Sequence, residues 1–155
     1  MKRAILAVLL IVCVILLVGC GEQALKKGSF EDIYADMTNT GALPPMLMVD
    51  ADTALDFYGV APADYTQSLL FIAEDSLRAN EVLFFRAADE GAAQRIEELL
   101  NARMAAKASE AKNYSPEQYA VIQKGRVITN GLTLALIVSP EIDKLVTIYS
   151  SYTAD

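Results

Sequence analysis

The sequence predicts an α+β domain: a four-stranded antiparallel sheet built from two ββα units, with helices packed on one face and further helices ahead of it. Three observations carry that expectation. Two pairs of strand-like runs, Tyr65 to Ala73 with Glu81 to Ala87 and Arg126 to Thr129 with Leu132 to Val138, are each joined by turn-forming residues. Each pair is followed by apolar residues at three- and four-residue spacing, the period of a helix with one buried face. Serine or aspartate stands where the helical stretches begin, supplying the oxygen that a helix N-terminus needs for its unpaired N–H groups.

Taken in order, Ser29 caps the first helix, with Asp32 in its first turn, and Phe30, Ile33, Tyr34 and Met37 form one apolar stripe. Thr38 to Gly41 ends that helix. Pro44-Pro45 forces extended backbone through Met46-Leu47-Met48-Val49. Asp52 is expected to cap a short helix that closes at Gly59. In the first strand pair Leu69 to Ala73 is continuously apolar, and Glu74 to Asn80 turns the chain. The long helix runs from about Glu90 to Ala111, with Ala92, Ile96, Leu99, Leu100 and Met104 on its buried face and charged residues opposite. Ser115-Pro116-Glu117-Gln118 combines a serine cap, proline at the first helical position and glutamine at the third, a capping box, and its helix ends at Gly125. Asn130-Gly131 supplies the positive φ angles of a type I′ hairpin turn. Ser139-Pro140-Glu141 caps the last helix, striped by Ile142, Leu145, Val146, Tyr149 and Tyr152. The order of elements repeats without a residue-level repeat. No linker divides residues 29–155, which are expected to fold as a single domain.

Ahead of that domain, Lys2-Arg3 precedes fifteen apolar residues, Ala4 to Val18, followed by Gly19-Cys20. A basic head, an apolar run, Leu17 three positions before a cysteine and a small residue directly before it resemble the lipobox of bacterial lipoproteins. The resemblance implies a signal peptide over residues 1–19, cleavage between Gly19 and Cys20, and a diacylglyceryl group with palmitate-like chains on the Cys20 thiol. Fifteen residues fall short of the ~20 needed to cross the hydrocarbon core. Each buried CH₂ contributes ~0.8 kcal/mol, so two acyl chains hold stably where one holds marginally. Residues 20–28 would form a short tether with a reach of roughly 15 Å at ~5–6 Å × √n, with Lys26-Lys27 read as solvated linker. The expected location is the outer face of the cytoplasmic membrane, lipid-anchored, and periplasm-facing if the host has an outer membrane.

Composition narrows the function. Removing residues 1–19 takes away Lys2 and Arg3, leaving eleven cations against twenty acids and moving the formal charge from −7 to −9. That charge argues against nucleic acid as a partner. The chain has no histidine, and past residue 19 its one cysteine is Cys20. Internal disulfides, Cys/His zinc sites and histidine-based nucleophilic machinery are thereby excluded. No cofactor, metal ligand set or catalytic residue is expected. Asp50-Ala51-Asp52 and Asp56 suggest a calcium loop, but counting from Asp50 places Ala54, Leu55 and Ala61 at the fifth, sixth and twelfth positions, and the pattern fails. The acid pairs Glu74-Asp75, Asp89-Glu90 and Glu97-Glu98 fall in a turn, at a helix start and on a solvated face. Tyr34, Tyr149 and Tyr152 read as core. Tyr114 and Tyr119 flank the serine cap and either pack the short helix, the favoured reading, or line a groove.

The segments Ala79-Asn80-Glu81-Val82-Leu83-Phe84-Phe85-Arg86-Ala87, Tyr114-Ser115-Pro116-Glu117-Gln118-Tyr119, Tyr58-Gly59, and Gly131 ahead of a strand ending Val138-Ser139-Pro140 resemble small lipoproteins of Gram-positive bacteria. That family is catalogued as domain of unknown function four-three-five-eight. The resemblance covers most of Phe30 to Tyr149 and departs at Leu132, where members often carry an aromatic residue. It implies fold and location, and it transfers no functional residues. The expected role is a lipid-anchored, non-enzymatic interaction or accessory domain at the cell envelope, held to the membrane through Cys20 and open to an envelope protein partner. A small-ligand-binding lipoprotein is the alternative. A carboxylate-based cell-wall hydrolase ranks below both, with enzymatic activity left open and the residue inventory weighing against it.

Overall fold

The computed structural model describes residues 25–153. Gly19, Cys20 and the leader lie outside the described residues. The elements are α1 (Phe30–Thr38), β1 (Met46–Val49), α2 (Ala51–Tyr58), a 3-10 turn (Pro62–Asp64), β2 (Tyr65–Ala73), β3 (Glu81–Ala87), α3 (Glu90–Tyr114), α4 (Pro116–Lys124), β4 (Arg126–Asn130), β5 (Thr133–Val138) and α5 (Ile142–Thr153). The fold is α+β. Its antiparallel sheet has five strands in the order β1-β2-β3-β5-β4, not four. The added strand is the stretch that Pro44-Pro45 holds extended. It pairs along the free edge of β2, from Met46 opposite Ala73 to Val49 opposite Leu70.

Helices cover both faces of the sheet rather than one. The reason lies in β3 and β5. Val82 to Phe85 and Leu134 to Val138 are apolar at every position, and successive residues of a strand point to opposite faces. Both faces must therefore be covered. Leu83, Phe85, Leu134, Leu136 and Val138 pack with Tyr58 of α2, Ile96 and Leu100 of α3 and Ile122 of α4. Val82, Phe84, Ala135 and Ile137 pack on the other side with Phe30, Ile33 and Met37 of α1 and Ile142, Leu145 and Tyr149 of α5. Each large side chain fully withdrawn from water contributes ~1.5–3 kcal/mol. The registers Leu70 opposite Leu83 and Phe84 opposite Ala135 bring these residues side by side.

Local chemistry sets the boundaries. Ser29 and Asp32 form a complete capping box at α1. At α2 the cap is Asp50, whose carboxylate accepts from the Thr53 N–H at 2.9 Å, whereas Asp52 lies in the first turn. The cap moved upstream because Asp50 is the residue left in extended conformation by β1. Gly59 closes α2 at φ +72°. In the second hairpin Asn130 pairs with Thr133, so the loop is Gly131-Leu132. Only Gly131 has positive φ, +56°, which fits a type II′ turn rather than the expected type I′. Asn130 stays in the strand and donates from Nδ2 to the Thr153 hydroxyl at 3.0 Å, tying the hairpin to the end of α5.

Phe84 is the centre of the α1–α5 side, stacked on Tyr149 at 5.6 Å between ring centroids and tilted against Phe30 at 5.4 Å. Phe84→Ala is expected to destabilise the fold by about 3–5 kcal/mol, read as a lowered urea midpoint at unchanged slope.

Candidate functional site

The site arises from a mismatch of lengths. At 1.5 Å per residue, the 25 residues of α3 rise roughly 37 Å, whereas the seven of β3 span roughly 23 Å. The helix starts beside the end of β3, runs back along it, and overshoots the strand's first residue, Glu81. Its buried stripe of Ala92, Ile96 and Leu100 runs on through Met104 and Ala108, and Arg103 and Lys107, each one position earlier, flank that stripe on the cleft side. Glu81 shares the strand face of Leu83 and Phe85, so it meets those flanking charges directly. Lys107 Nζ donates to Glu81 Oε1 at 2.5 Å and to the Ala79 carbonyl at 3.0 Å. The two side chains are only 17% and 4% exposed. The other ion pairs among the described residues, Lys26–Asp36, Arg78–Asp75 and Arg95–Asp64, each include at least one largely exposed partner.

The turn from Glu74 to Asn80 forms the opposite wall. The Asp75 carboxylate accepts from the Leu77 N–H at 3.0 Å, and the Arg78 N–H returns to the Asp75 carbonyl at 2.9 Å. The Ala73 N–H donates to the Asn80 carbonyl, closing the hairpin. Gln118 of α4 accepts the Ala79 N–H on Oε1 at 2.8 Å. Its side chain therefore does not complete the expected capping box. Ser115 still accepts the Gln118 N–H at 3.3 Å, and the glutamine is redirected to the turn because Ala79 N–H is buried there without a strand partner.

Between these walls lies a cleft of about 310 Å³, lined among others by Phe57, Tyr58, Ile72, Arg78, Asn80 and Arg103. A second hollow of about 260 Å³, reaching Tyr114 and Gln118, shares Ser76, Arg78, Lys107 and Glu110 with it. Three buried polar atoms in the first cleft have no hydrogen-bond partner within the protein: Glu81 Oε2, Asn80 Nδ2 and Arg103 Nε. Leaving such atoms unmatched costs ~1–3 kcal/mol each. Arg103 sits over the Tyr58 ring, 5.7 Å from its centroid. Burial first, and the Glu81 carboxylate second, push the Tyr58 phenol well above its ordinary range, so it stays a protonated donor beside the acid.

The acid pairs singled out in the sequence do not converge. Asp89 caps α3 through the Ala92 N–H, Glu90 and Glu98 are exposed, and Glu97 is half-buried. Glu74 and Asp75 lie on the rim, where with Pro44, Pro45 and Arg78 they line a hollow of about 240 Å³. Tyr149 is buried, Tyr34 stacks on Phe71, and Tyr152 donates to Asp36 at 2.8 Å. The two candidates beside the serine cap divide: Tyr119 packs on the core, while Tyr114 is 89% exposed at the mouth of the second hollow. Sequence reading missed Glu81, Arg103 and Lys107. The available signal was charge at Arg103 and Lys107, each directly beside an apolar stripe position, Met104 and Ala108. Among the described residues no group of three or more His, Cys, Asp or Glu side chains is placed to hold a metal ion, and no helix is long and apolar enough to cross a membrane.

Glu81→Gln or Lys107→Met alone is expected to cost about 3–5 kcal/mol by leaving the other charge buried and unpaired. The double replacement Glu81→Leu with Lys107→Met is expected to recover most of that loss, measured as a double-mutant cycle in urea. Gln118→Ala is expected to cost about 1–3 kcal/mol by orphaning the Ala79 N–H.

A family profile described as Domain of unknown function (DUF4358) matches residues 39–139, which includes the Glu74–Asn80 turn, Glu81, Arg103, Lys107 and Gln118. No curated protein and no solved structure matches the chain.

Proposed function

The chain belongs to the DUF4358 family, and we propose that it works as a lipid-anchored extracytoplasmic binding domain, a non-enzymatic interaction or accessory module of the cell envelope. The observation that carries this reading is the placement of the cleft relative to the tether. The Lys26 N–H donates to the Ser151 carbonyl of α5 at 2.8 Å, and Lys26 Nζ reaches Asp36 of α1 at 2.7 Å while lying over the Tyr152 ring. Lys26 is thus docked rather than free linker. Gly28 passes so close to Tyr152 that an added Cβ would lie 2.6 Å from its ring, so a larger residue there would have to displace the tyrosine. The chain enters the domain on the α1–α5 side, and the cleft is built on the opposite side of the sheet, between α2, α3 and the turn.

With Cys20 acylated, only about five residues separate the lipid from that docked point, a reach of roughly 12 Å at ~5–6 Å × √n. The α1–α5 side then faces the membrane and the cleft faces away from it, open to envelope partners. Hydrogen bonds from Lys26 first and Tyr152 second hold the Asp36 carboxyl below its ordinary range, so the docking contact persists through neutral pH and is lost as the carboxyl protonates in acid. The lipobox-like Leu17-Val18-Gly19-Cys20 supports the anchor. The absence of histidine and the engagement of Glu81 by Lys107 weigh toward binding over catalysis.

Two measurements test this reading. Cys20→Ala is expected to abolish labelling by a palmitate analogue in cells and to release the protein from the membrane fraction; retention with labelling intact would refute the anchor. A photo-crosslinking residue at Ser76, on the cleft, is expected to capture an envelope component that the same residue at Asp143, exposed on α5, does not. Equal capture from both positions, or none from Ser76, would count against the cleft as the binding face.

A further inference from the structure

We propose that the cleft binds an α-carboxylate carrying an adjacent N–H donor, the group presented by a free amino acid or by the C-terminal residue of a peptide. The proposal rests on the binding role above and names the chemistry of the same site. Nearly all buried polar groups in folded proteins find a partner. Five buried side-chain atoms among the described residues do not, and three of the five gather here. Asn80 and Glu81 are 4% and 3% exposed, and both line the cleft. The three atoms are two donors and one acceptor: Asn80 Nδ2 and Arg103 Nε offer N–H groups, and Glu81 Oε2 offers a lone pair. A carboxylate with a neighbouring N–H is the complement of that set.

Charge points the same way. The charged residues lining the cleft are Arg78, Arg103 and Lys107 with Glu81 and Glu110, leaving one net positive charge in a chain whose formal charge is −7. A phosphate monoester dianion fits poorly, because it has no proton to give the free Glu81 oxygen and brings two negative charges beside it. A carboxylate brings one charge, and its attached nitrogen donates to Glu81. Lys107 engages Oε1 and fixes the rotamer of a carboxylate that the Tyr58 hydroxyl also approaches, and Oε2 is the oxygen without a partner of hydrogen-bond geometry. The volume of about 310 Å³ suits a ligand of amino-acid size, at the lower end of the ~300–1,000 Å³ of small-molecule sites. Phe57, which is 59% exposed, and Ile72 give an apolar wall for its side chain.

The test is calorimetric titration of the mature protein, purified from membranes in detergent micelles, with three probes: N-acetyl-L-alanyl-L-leucine, the same compound as its C-terminal amide, and free L-leucine. At least one carboxylate probe is expected to bind, and the amide is expected to bind at least about tenfold more weakly. Tighter binding of the acetylated acid identifies a peptide C-terminus as the source, and tighter binding of leucine identifies a free amino acid; either supports the proposal. Glu81→Gln disturbs a buried pair, so the variant used is Arg103→Gln, with Lys112→Gln on the same helix as control. Arg103→Gln is expected to weaken binding at least about tenfold with its thermal midpoint retained, and Lys112→Gln to leave binding unchanged. Equal affinity for acid and amide, no binding of any probe at millimolar concentration, or unchanged binding by Arg103→Gln would overturn the assignment. Capture of a partner from Ser76 but not Asp143 in cells would leave the binding role standing even then.

Discussion

The constraint on which this structure depends is the two-sided burial of β3. A strand apolar at four successive positions cannot turn one face to water, so the chain must supply a layer on each side. The α3–α4 pair with α2 supplies one layer, and α1 with α5, from opposite ends of the described residues, supplies the other. The domain therefore closes only when its first and last helices meet across Phe84 and Tyr149. That requirement also explains why the entering chain docks on α5: the first and last helices share one side, and the residues leading into α1 run over it.

Filling the α3 side creates the cleft. A helix that must cover a strand of seven residues and still reach α4 extends past the end of the sheet, where no strand remains to pack against. Ala108 stays buried there in the core, while on the cleft side Arg103 and Lys107 reach back with long stems whose charged heads line the cleft. A buried ion pair of this kind adds little net stability, since desolvation offsets most of the attraction. Glu81–Lys107 is better understood as a positioning device. It locks the end of the turn to α3 through both the Glu81 carboxylate and the Ala79 carbonyl, while Gln118 locks it to α4. A turn so fixed presents Asn80 and Glu81 in one geometry, which a binding site requires.

Much of this fold was legible in the sequence. The bounds of β2 and β3, the stripes of α1 and α5, the Ser29 and Ser115 caps and the closures at Gly41, Gly59 and Gly125 follow from periodicity and turn chemistry. What was missed depended on pairing. Met46–Val49 reads as extended, but nothing local shows that β2 has a free edge to accept it. The uninterrupted apolar runs in β3 and β5 did signal cover on both faces; that signal is overridden if the two ββα units are pictured as a sheet with one wet side. The turn at Gly131-Leu132 shifted by one residue because cross-strand pairing of Asn130 with Thr133 decides where the loop begins. Gln118 fits a capping box on sequence, yet a buried N–H 39 residues upstream in the chain is the stronger claim on its side-chain carbonyl.

The site itself was legible only in part. Glu81 lies within a segment that carried the family resemblance, and Arg103 and Lys107 flank a helical stripe with charge. Each has an ordinary explanation taken singly: a polar strand end, and two cations on a long helix with an exposed side. Their meaning comes from the overshoot of α3, which brings the three together with Tyr58 and Asn80. A charge placed beside a buried stripe is costly unless matched, and here the match is incomplete: Lys107 satisfies one Glu81 oxygen and leaves the other. A purely structural pair gains stability by closing both ends. A site that must receive something retains an unmatched donor and acceptor, and the fold bears that local cost because its two apolar layers carry the stability.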